Sequence, residues 1–345
     1  MLTISIRILK TNPERKLTRS RIMGNTDRRL AAIGLGCMGL SEFYGPPTDK
    51  QTAIKLLHAA IELGVDHFDT AEMYGMGANE SLLGDAFLGR RDKVFIATKF
   101  GPLRDPETGI PTGIDGTRAN CLRAVEGSLQ RLQTDFIDLY YLHRVDPETP
   151  IEETVAAMAE LVAAGKVGAI GLSEASAETI RRAAKIHPIA AVQSEYSIFS
   201  RDIEAEVIPA CIEVGATLVA YSPLGRGMLS GSFKDAATPV SGDYRAVSPR
   251  FQGDAYLANV QLVDEIAAIA TAKDCQPAEV ALAWVLGRGD HVMTIPGTTK
   301  LANLKTNLAA YELDLSDDER VSLERLADQV MGDRYDERGM SIING

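Results

Sequence analysis

An acid, a phenol, an amine and an imidazole follow one another in the first half of the chain, at Asp69, Tyr74, Lys99 and His143. Together these groups could deliver a proton to a carbonyl oxygen. A phenol is a poor acid near neutrality because its reference pKa is about 10. A nearby ammonium favours the phenolate and makes the proton easier to give up, and Asp69 would keep that ammonium charged and in place. We expect His143 to orient the substrate oxygen by a hydrogen bond.

No side chain supplies a hydride, so a reduction at this site needs a cofactor. An amide such as Gln193 can pair with a carboxamide, and the ring of Tyr221 can stack on a nicotinamide. Residues 296–300 (PGTTK) begin a predicted helix, and a helix N-terminus with hydroxyl groups and a cation favours phosphate. A buried amide, a core aromatic residue and a capped helix are the structural alternatives for these three features.

All of these residues lie at or near the ends of β-like runs that alternate with helical patterns. The predicted strands are 30–35, 65–69, 94–99, 137–142, 167–172, 189–193, 216–221 and 292–295. The predicted helices are 49–63, 79–88, 117–132, 150–164, 177–186, 203–214, 257–272, 277–286, 301–310 and 317–327. Most of the strands are apolar almost throughout, which is typical of strands covered on both faces. Eight strand–helix units predict a closed parallel (β/α)8 barrel, whose reactive residues come from the C-terminal ends of its strands.

Two local patterns refine this prediction. Thr48 with Gln51 predicts a capping box at the first helix, and Thr149 is the predicted cap of the helix that begins at Pro150. Residues 34–39 (GLGCMG) match the dinucleotide fingerprint of a doubly wound sheet, which requires a helix that begins within the glycines. Residues 41–47 intervene before any helix can begin, which favours the barrel.

The composition sets further limits. With 345 residues, 45% of them hydrophobic, and a net charge of −11, the chain is long enough for one large barrel and would repel a nucleic-acid backbone. No apolar run reaches the roughly 18 residues of a membrane span. Four well-separated cysteines without CxxC spacing indicate a reducing compartment, and we expect the cytoplasm. The predicted organisation is a basic extension (1–17), one catalytic barrel domain (18–330) and a C-terminal tail (331–345).

Four segments in order resemble the aldo-keto reductase family: residues 64–75 (GVDHFDTAEMYG), 137–147 (IDLYYLHRVDP), 221–227 (YSPLGRG) and 295–299 (IPGTT). The resemblance covers about residues 18–327 and is closest to the bacterial and plant branch that includes perakine reductase and pyridoxal reductase. It implies a TIM barrel with an N-terminal β-hairpin cap and extra C-terminal helices. It also implies reduction of an aldehyde or ketone to an alcohol with NADPH, and with NADH less readily.

By motif match, the resemblance makes Tyr74 the general acid and completes a tetrad with Asp69, Lys99 and His143. It further implies a cofactor site made of Ser173, Gln193, Tyr221, Ser222, Pro223, Leu224, Gly225, Arg226, Gly227, Ile295, Gly297, Thr298, Thr299, Lys300, Asn303 and Asn307. The first three would hold the nicotinamide, residues 222–227 and 297–300 the phosphate groups, and Asn307 the adenine.

Two positions depart from the family pattern. Many members carry Asn where this chain has Glu174, so a carboxamide contact from that position is in question. Many also carry Arg and Glu at the positions of Asn303 and Thr306. Without that arginine, the 2′-phosphate would depend on Lys300, Lys305 or the threonine hydroxyls.

Two other classes of function are weighed against the reductase. The basic extension suits a regulatory or binding protein on the same barrel, like the potassium channel β subunits. A metal hydrolase or isomerase is disfavoured because none of the five histidines forms an HxH pair, and we expect no metal site. The expected partner is a small-molecule carbonyl substrate, without nucleic acid or membrane, for a monomer or a homo-oligomer.

Overall fold

The computed structural model describes residues 19–233, 242–343 and 345, so the predicted extension 1–17 lies outside the described residues. Its strands are β1 (Ser20–Ile22), β2 (Arg29–Ala31), β3 (Leu35–Gly36), β4 (His67–Asp69), β5 (Phe95–Phe100), β6 (Pro102–Arg104), β7 (Pro111–Ile114), β8 (Ile137–Leu142), β9 (Val167–Ser173), β10 (Ala191–Glu195), β11 (Thr217–Tyr221) and β12 (Val292–Thr294). Its α-helices are α1 (Lys50–Glu62), α2 (Ala78–Phe87), α3 (Arg118–Leu132), α4 (Ile151–Ala163), α5 (Ala177–Ala184), α6 (Val207–Val214), α7 (Gly253–Ala272), α8 (Pro277–Leu286), α9 (Leu301–Ala309), α10 (Asp317–Leu326) and α11 (Glu337–Met340).

Eight parallel strands form one sheet in the order β3, β4, β5, β8, β9, β10, β11, β12. The two edge strands meet, because Ile33 bridges to Thr294 and Gly36 bridges to Gly297. A Cβ atom on Gly36 would lie 2.7 Å from the carbonyl oxygen of Ile295, so glycine permits this close approach. The sheet is therefore closed, and the predicted (β/α)8 barrel is confirmed.

The N-terminal hairpin covers one end of the barrel. Strands β1 and β2 pair antiparallel, and Met23 and Leu30 pack into the same buried cluster as Phe95 and Leu139 of the barrel. The hairpin cap is confirmed, but the predicted first strand, 30–35, is wrong in its bounds. It divides into β2 and β3 because residues 29–31 take their backbone partners from β1 instead of from the barrel.

The helices follow the predicted positions, with corrections at their starts. The cap of α1 is Asp49, whose carboxylate accepts from the Thr52 amide at 2.9 Å, so the capping box of Thr48 with Gln51 is wrong. Helix α6 begins at Val207 because residues 202–204 form a separate 3-10 turn.

The start of α4 also differs from the prediction. Pro150 occupies the cap position without a side-chain hydrogen bond. The hydroxyl of Thr149 donates instead to the carboxylate of Asp146 at 2.7 Å. The predicted cap is therefore used to brace the loop that follows β8.

Two further features lie at the C-terminal ends of the barrel strands. The hairpin of β6 and β7 follows β5 directly and was not predicted. The end of the chain also packs there, since the amide of Ser176 donates to the Gly345 carbonyl at 2.9 Å and Ile343 is buried. Within the part of the chain that the structure describes, none of the helices combines the length and hydropathy needed to cross a bilayer.

Candidate active site

Lys99 is the centre of the group that the sequence singled out. It lies in β5, fully buried, and its ammonium donates to the carboxylate of Asp69. It also donates to the carbonyl oxygen of Thr70 at 2.7 Å and contacts the hydroxyl of Tyr74 at 3.3 Å. All three ammonium protons thus have partners. The structure brings Asp69, Tyr74 and Lys99 into one hydrogen-bonded unit.

The loop that carries Tyr74 is fixed by a residue that sequence reasoning missed. Asn79 is fully buried at the start of α2, and its amide nitrogen donates to the Cys37 carbonyl and to the Ser41 hydroxyl, both at 2.8 Å. Its amide oxygen accepts from the Thr70 hydroxyl at 2.7 Å. These bonds connect the loop after β4 to the loop after β3, so Tyr74 has a defined position.

His143 completes the group from the end of β8. Its ring meets the ring of Tyr74 edge-on, with centroids 5.7 Å apart. Burial, assisted by the positive charges of Lys99, Arg144 and Arg104, holds the pKa of His143 well below its ordinary value of 6.5. The imidazole is therefore neutral at pH 7. A neutral imidazole keeps one N–H, which can donate to a carbonyl oxygen in the cavity.

The pKa of Tyr74 depends on burial as well as on the charge of Lys99. Burial raises the pKa of Tyr74 above its ordinary value of 10.0, and the charge of Lys99 opposes this only in part. The expected effect of the ammonium is present, because the charge of Lys99 lowers the pKa of Tyr74, but burial outweighs it. For Lys99, burial acts against the ammonium, but the charges of Asp69 and Tyr74 raise its pKa overall. At neutral pH the site holds an ammonium beside a protonated phenol.

A cavity of about 860 Å³ opens beside this group and is lined by Asp69, Tyr74 and His143. Its volume lies within the range of roughly 300–1,000 Å³ typical of small-molecule sites. Lys99 does not line it and lies behind Tyr74. The predicted cofactor residues that do line it are Ser173, Gln193, Tyr221, Ser222, Pro223, Leu224, Arg226, Gly227, Ile295, Gly297, Thr298, Thr299, Lys300, Asn303 and Asn307. Gly225 is absent from this lining.

The residues predicted to hold a nicotinamide lie at the tetrad end of the cavity. The amide nitrogen of Gln193 donates to the second carboxylate oxygen of Asp69 at 2.8 Å. The hydroxyl of Ser173 accepts from Arg144 at 3.2 Å, and the hydroxyls of Tyr221 and Tyr335 are 2.8 Å apart. Amide, hydroxyl and aromatic groups are therefore present, as a carboxamide-bearing ring requires.

Glu174 has another role. Its backbone is left-handed (φ 53°), and its buried carboxylate accepts from the guanidinium of Arg334 at 3.1 and 3.2 Å. It also accepts from the amide of Glu195 at 2.9 Å. The carboxylate is thus committed to the C-terminal segment. A carboxamide contact from this side chain, already in question from the sequence, finds no support.

The two cations expected at the cavity wall differ in their surroundings. Arg226 forms an ion pair with Glu195 at 2.9 Å and lies over the rings of Tyr244 and Tyr335, at 4.9 and 4.8 Å from their centroids. Lys300 is exposed at the start of α9, where its amide donates to the Thr298 hydroxyl at 3.1 Å. Of the two, Lys300 is the cation available to a phosphate.

Sequence reasoning missed several residues that line the cavity, among them Arg144, Tyr244, Arg245 and Tyr335. Arg144 had a detectable signal, because it directly follows His143 at a predicted strand end. Tyr335 had none, since it lies beyond the last family motif and its place depends on the path of the C-terminal segment.

Comparison with known proteins agrees with this geometry. The chain matches the Aldo/keto reductase family over residues 32–328. It belongs to the aldo-keto reductase family. A chain of this family is an NAD(P)H-dependent oxidoreductase that acts on carbonyl groups.

Individual relatives of this aldo-keto reductase cover nearly its whole length. It is 44% identical over 323 residues to the aldo-keto reductase yakc [NADP(+)] of Schizosaccharomyces pombe, spanning 92% of this chain and 94% of the relative. It superimposes on the glycerol dehydrogenase of Gluconobacter oxydans with a TM-score of 0.83 and 27% identity, covering 92% of this chain and 98% of that one. It superimposes on an aldo-keto reductase of Klebsiella pneumoniae in complex with NADPH with a TM-score of 0.71 and 30% identity, covering 92% of this chain and 99% of that one.

Proposed function

We propose that this aldo-keto reductase reduces an aldehyde or ketone to an alcohol with NADPH, and that Tyr74 is the proton donor. One observation carries the proposal: a fully buried ammonium is held between Asp69 and the hydroxyl of Tyr74, and both of these residues line a large cavity. This arrangement suits a proton transfer from the phenol, because the charge that would remain on the oxygen already has a cation beside it.

The reaction follows from the protonation states. The substrate carbonyl oxygen would accept hydrogen bonds from Tyr74 and from the neutral imidazole of His143. When bound, the reduced nicotinamide supplies a hydride to the carbonyl carbon. The phenol of Tyr74 then gives its proton to the carbonyl oxygen, which completes the alcohol. Lys99, fixed by Asp69, stabilises the phenolate until water restores its proton.

The cofactor assignment rests on the chemistry of the cavity wall. Ser173, Gln193 and Tyr221 would hold the nicotinamide beside the tetrad, and the N-terminus of α9 would receive phosphate. With Asn303 at the position of the usual arginine, we assign the 2′-phosphate to Lys300 and the adjacent threonine hydroxyls. The NADP(+) named for the fission yeast relative and the NADPH bound by the Klebsiella enzyme support the choice of NADPH.

The domain organisation and location are part of the same proposal. One catalytic domain would span residues 18–330, and residues 331–345 would cover part of its active-site face. We place the reaction in the cytoplasm, since all four cysteines are free thiols. The extension 1–17 and the regulatory function that it suggested remain predictions.

Substitution of the phenol tests the mechanism. In Tyr74→Phe, kcat/KM for 4-nitrobenzaldehyde should fall by about 10²- to 10⁴-fold, the usual contribution of a general acid. The dissociation constant for NADPH, measured by fluorescence quenching, should change little because the ring is retained. Tyr140→Phe is the matched control, since that hydroxyl is buried away from the cavity and has no hydrogen-bond partner among the described residues. Full activity in Tyr74→Phe would show that another group donates the proton.

A further inference from the structure

A guanidinium lies at the tetrad end of the cavity and has no part in the proposed proton transfer. Arg144 directly follows His143 after the end of β8, and its side chain lines the cavity. One terminal nitrogen donates to the His143 carbonyl at 2.7 Å and to the Ser173 hydroxyl at 3.2 Å. These two bonds hold the guanidinium in a fixed position beside the tetrad.

Arg144 differs from the other arginines of the cavity wall in having no counter-ion among the described residues. Arg226 pairs with Glu195 and Arg245 pairs with Asp243. Arg104, whose charge also reaches His143, pairs with Glu42. Among the residues that the structure describes, no carboxylate forms an ion pair with Arg144, and its Nε and second terminal nitrogen have no hydrogen-bond partner.

A partly buried guanidinium with open donors is incompletely compensated for the water it has lost. Its planar, permanently charged fork matches a carboxylate by two parallel hydrogen bonds. The phosphate groups of the cofactor are assigned to the other end of the cavity, at the start of α9. The anion that fits Arg144 must therefore arrive with the substrate.

We propose that Arg144 binds a carboxylate of the substrate and that the preferred substrates are aldehydes or ketones that carry one. This inference rests on the proposed function, and it adds the class of carbonyl compound. The carbonyl oxygen would lie at Tyr74 and His143, while the carboxylate would lie at the open nitrogens of Arg144. No covalent step beyond the carbonyl reduction is involved.

Matched acids and esters test this assignment. We would measure kcat and KM with NADPH for 4-formylbenzoate and methyl 4-formylbenzoate, and for phenylglyoxylate and methyl phenylglyoxylate. These two pairs differ in the separation of carboxylate and carbonyl. The wild-type enzyme should prefer at least one acid to its ester. In Arg144→Gln, that acid-to-ester ratio of kcat/KM should fall at least about tenfold, mainly through the KM of the acid, because a charge-assisted bond is lost.

Two further variants serve as references. Arg144→Lys keeps the charge without the fork and should retain part of the preference. Arg181→Gln makes the same charge change on an exposed arginine that pairs with Glu213 on the outer helices, and its ratio should equal that of the wild type. Circular dichroism and the NADPH dissociation constant establish that each variant is folded.

The outcomes separate this inference from the proposed function. If the wild type reduces the esters as well as the acids, or if Arg144→Gln leaves the ratio unchanged, the carboxylate assignment is overturned and carbonyl reduction stands. If Arg144→Gln weakens NADPH binding tenfold with the ratio unchanged, Arg144 is a cofactor residue and the assignment is again overturned. If the wild type reduces neither 4-nitrobenzaldehyde nor any of the four acids and esters, the proposed function itself fails.

Discussion

At the scale of single residues, burial sets the protonation of the imidazole and the phenol at the proposed carbonyl site. It lowers the pKa of His143 and raises the pKa of Tyr74, so each is neutral at pH 7. The nearby cations reinforce the first shift and oppose the second. A neutral imidazole and a neutral phenol can both donate a hydrogen bond to the same oxygen. Under the proposed function, the site would therefore polarise a carbonyl group without any change of protonation before the substrate binds.

This neutrality predicts a flat pH profile. As the pH falls through 6.5, the ordinary value of histidine, the depressed pKa of His143 keeps its ring unprotonated. As the pH rises towards 10.0, the raised pKa of Tyr74 keeps its proton in place. We expect kcat/KM for a neutral aldehyde to vary less than about twofold between about pH 6 and pH 9. An inflection near 6.5 that disappears in His143→Gln would contradict this reading of the histidine.

Which side chains meet could be predicted from the sequence, because residues at consecutive strand ends of a barrel share one face. The net direction of the Tyr74 pKa shift could not be predicted in this way. Spacing identifies the charged neighbours of the phenol but does not show how far burial removes it from water. The role of Asn79 in holding the loop that carries Tyr74 could not be predicted either. Its partners, Cys37 and Ser41, are about 40 positions away in the chain and are brought close only when the loops after β3 and β4 fold together.

At the scale of elements, the C-terminal segment (residues 331–345) accounts for the departure at Glu174. Arg334 is buried between Glu174 and Asp202, with oxygen contacts at 3.1 and 3.2 Å. Tyr335 next to it stacks on Arg226 and reaches Tyr221. A carboxylate at position 174 thus serves to attach this segment to the active-site face.

Removal of the arginine should weaken this attachment strongly. In Arg334→Met, the Glu174 carboxylate stays buried without its cation, and we expect a loss of about 3–5 kcal/mol in local or global stability. Urea unfolding and hydrogen exchange of residues 331–343 measure the loss. The double variant Glu174→Gln with Arg334→Met should recover part of it, because the uncompensated charge is gone. Losses that simply add in the double variant would show that the two residues are not coupled.

Elements with strong periodicity were predictable, and elements whose residues lack a periodic pattern were not. Helix α8 matches its prediction at both ends because its apolar residues and N-terminal Pro277 mark it. The β6–β7 hairpin was missed, since its segment contains Pro102, Pro111 and Gly113 and lacks the alternation of a strand. Its two strands pair only with each other, in a separate two-stranded antiparallel sheet.

At the scale of the whole molecule, the barrel also buries polar groups that lie outside the candidate active site and that we expect to cost stability. His67, two residues before Asp69 on β4, is fully buried, and neither ring nitrogen has a hydrogen-bond partner among the described residues. Its ring packs edge-on against Phe95, with centroids 5.6 Å apart. Burial lowers its pKa, opposed in part by Asp69 and Asp66. Below pH 6.5, such a histidine stays neutral in the folded protein, whereas the same histidine in the unfolded chain takes up a proton.

This difference predicts how the barrel loses stability in acid. Above pH 6.5, a histidine with a depressed folded-state pKa does not lower the free energy of unfolding, because it is neutral in both states. As the pH falls from 6.5 towards the folded-state pKa, the free energy of unfolding decreases, because only the unfolded chain binds the proton. Each such group can remove up to about 2 kcal/mol between pH 6.5 and pH 5. We therefore expect His67→Leu to lose less stability than the wild type between pH 7 and pH 5, as measured by urea unfolding at the two pH values. His187→Leu is the matched substitution at a histidine near the surface, and a loss in His67→Leu equal to that of the wild type would show that His67 takes up its proton in the folded state. Because His67 lies outside the cavity lining, the acid stability of the barrel should change in this variant independently of its chemistry.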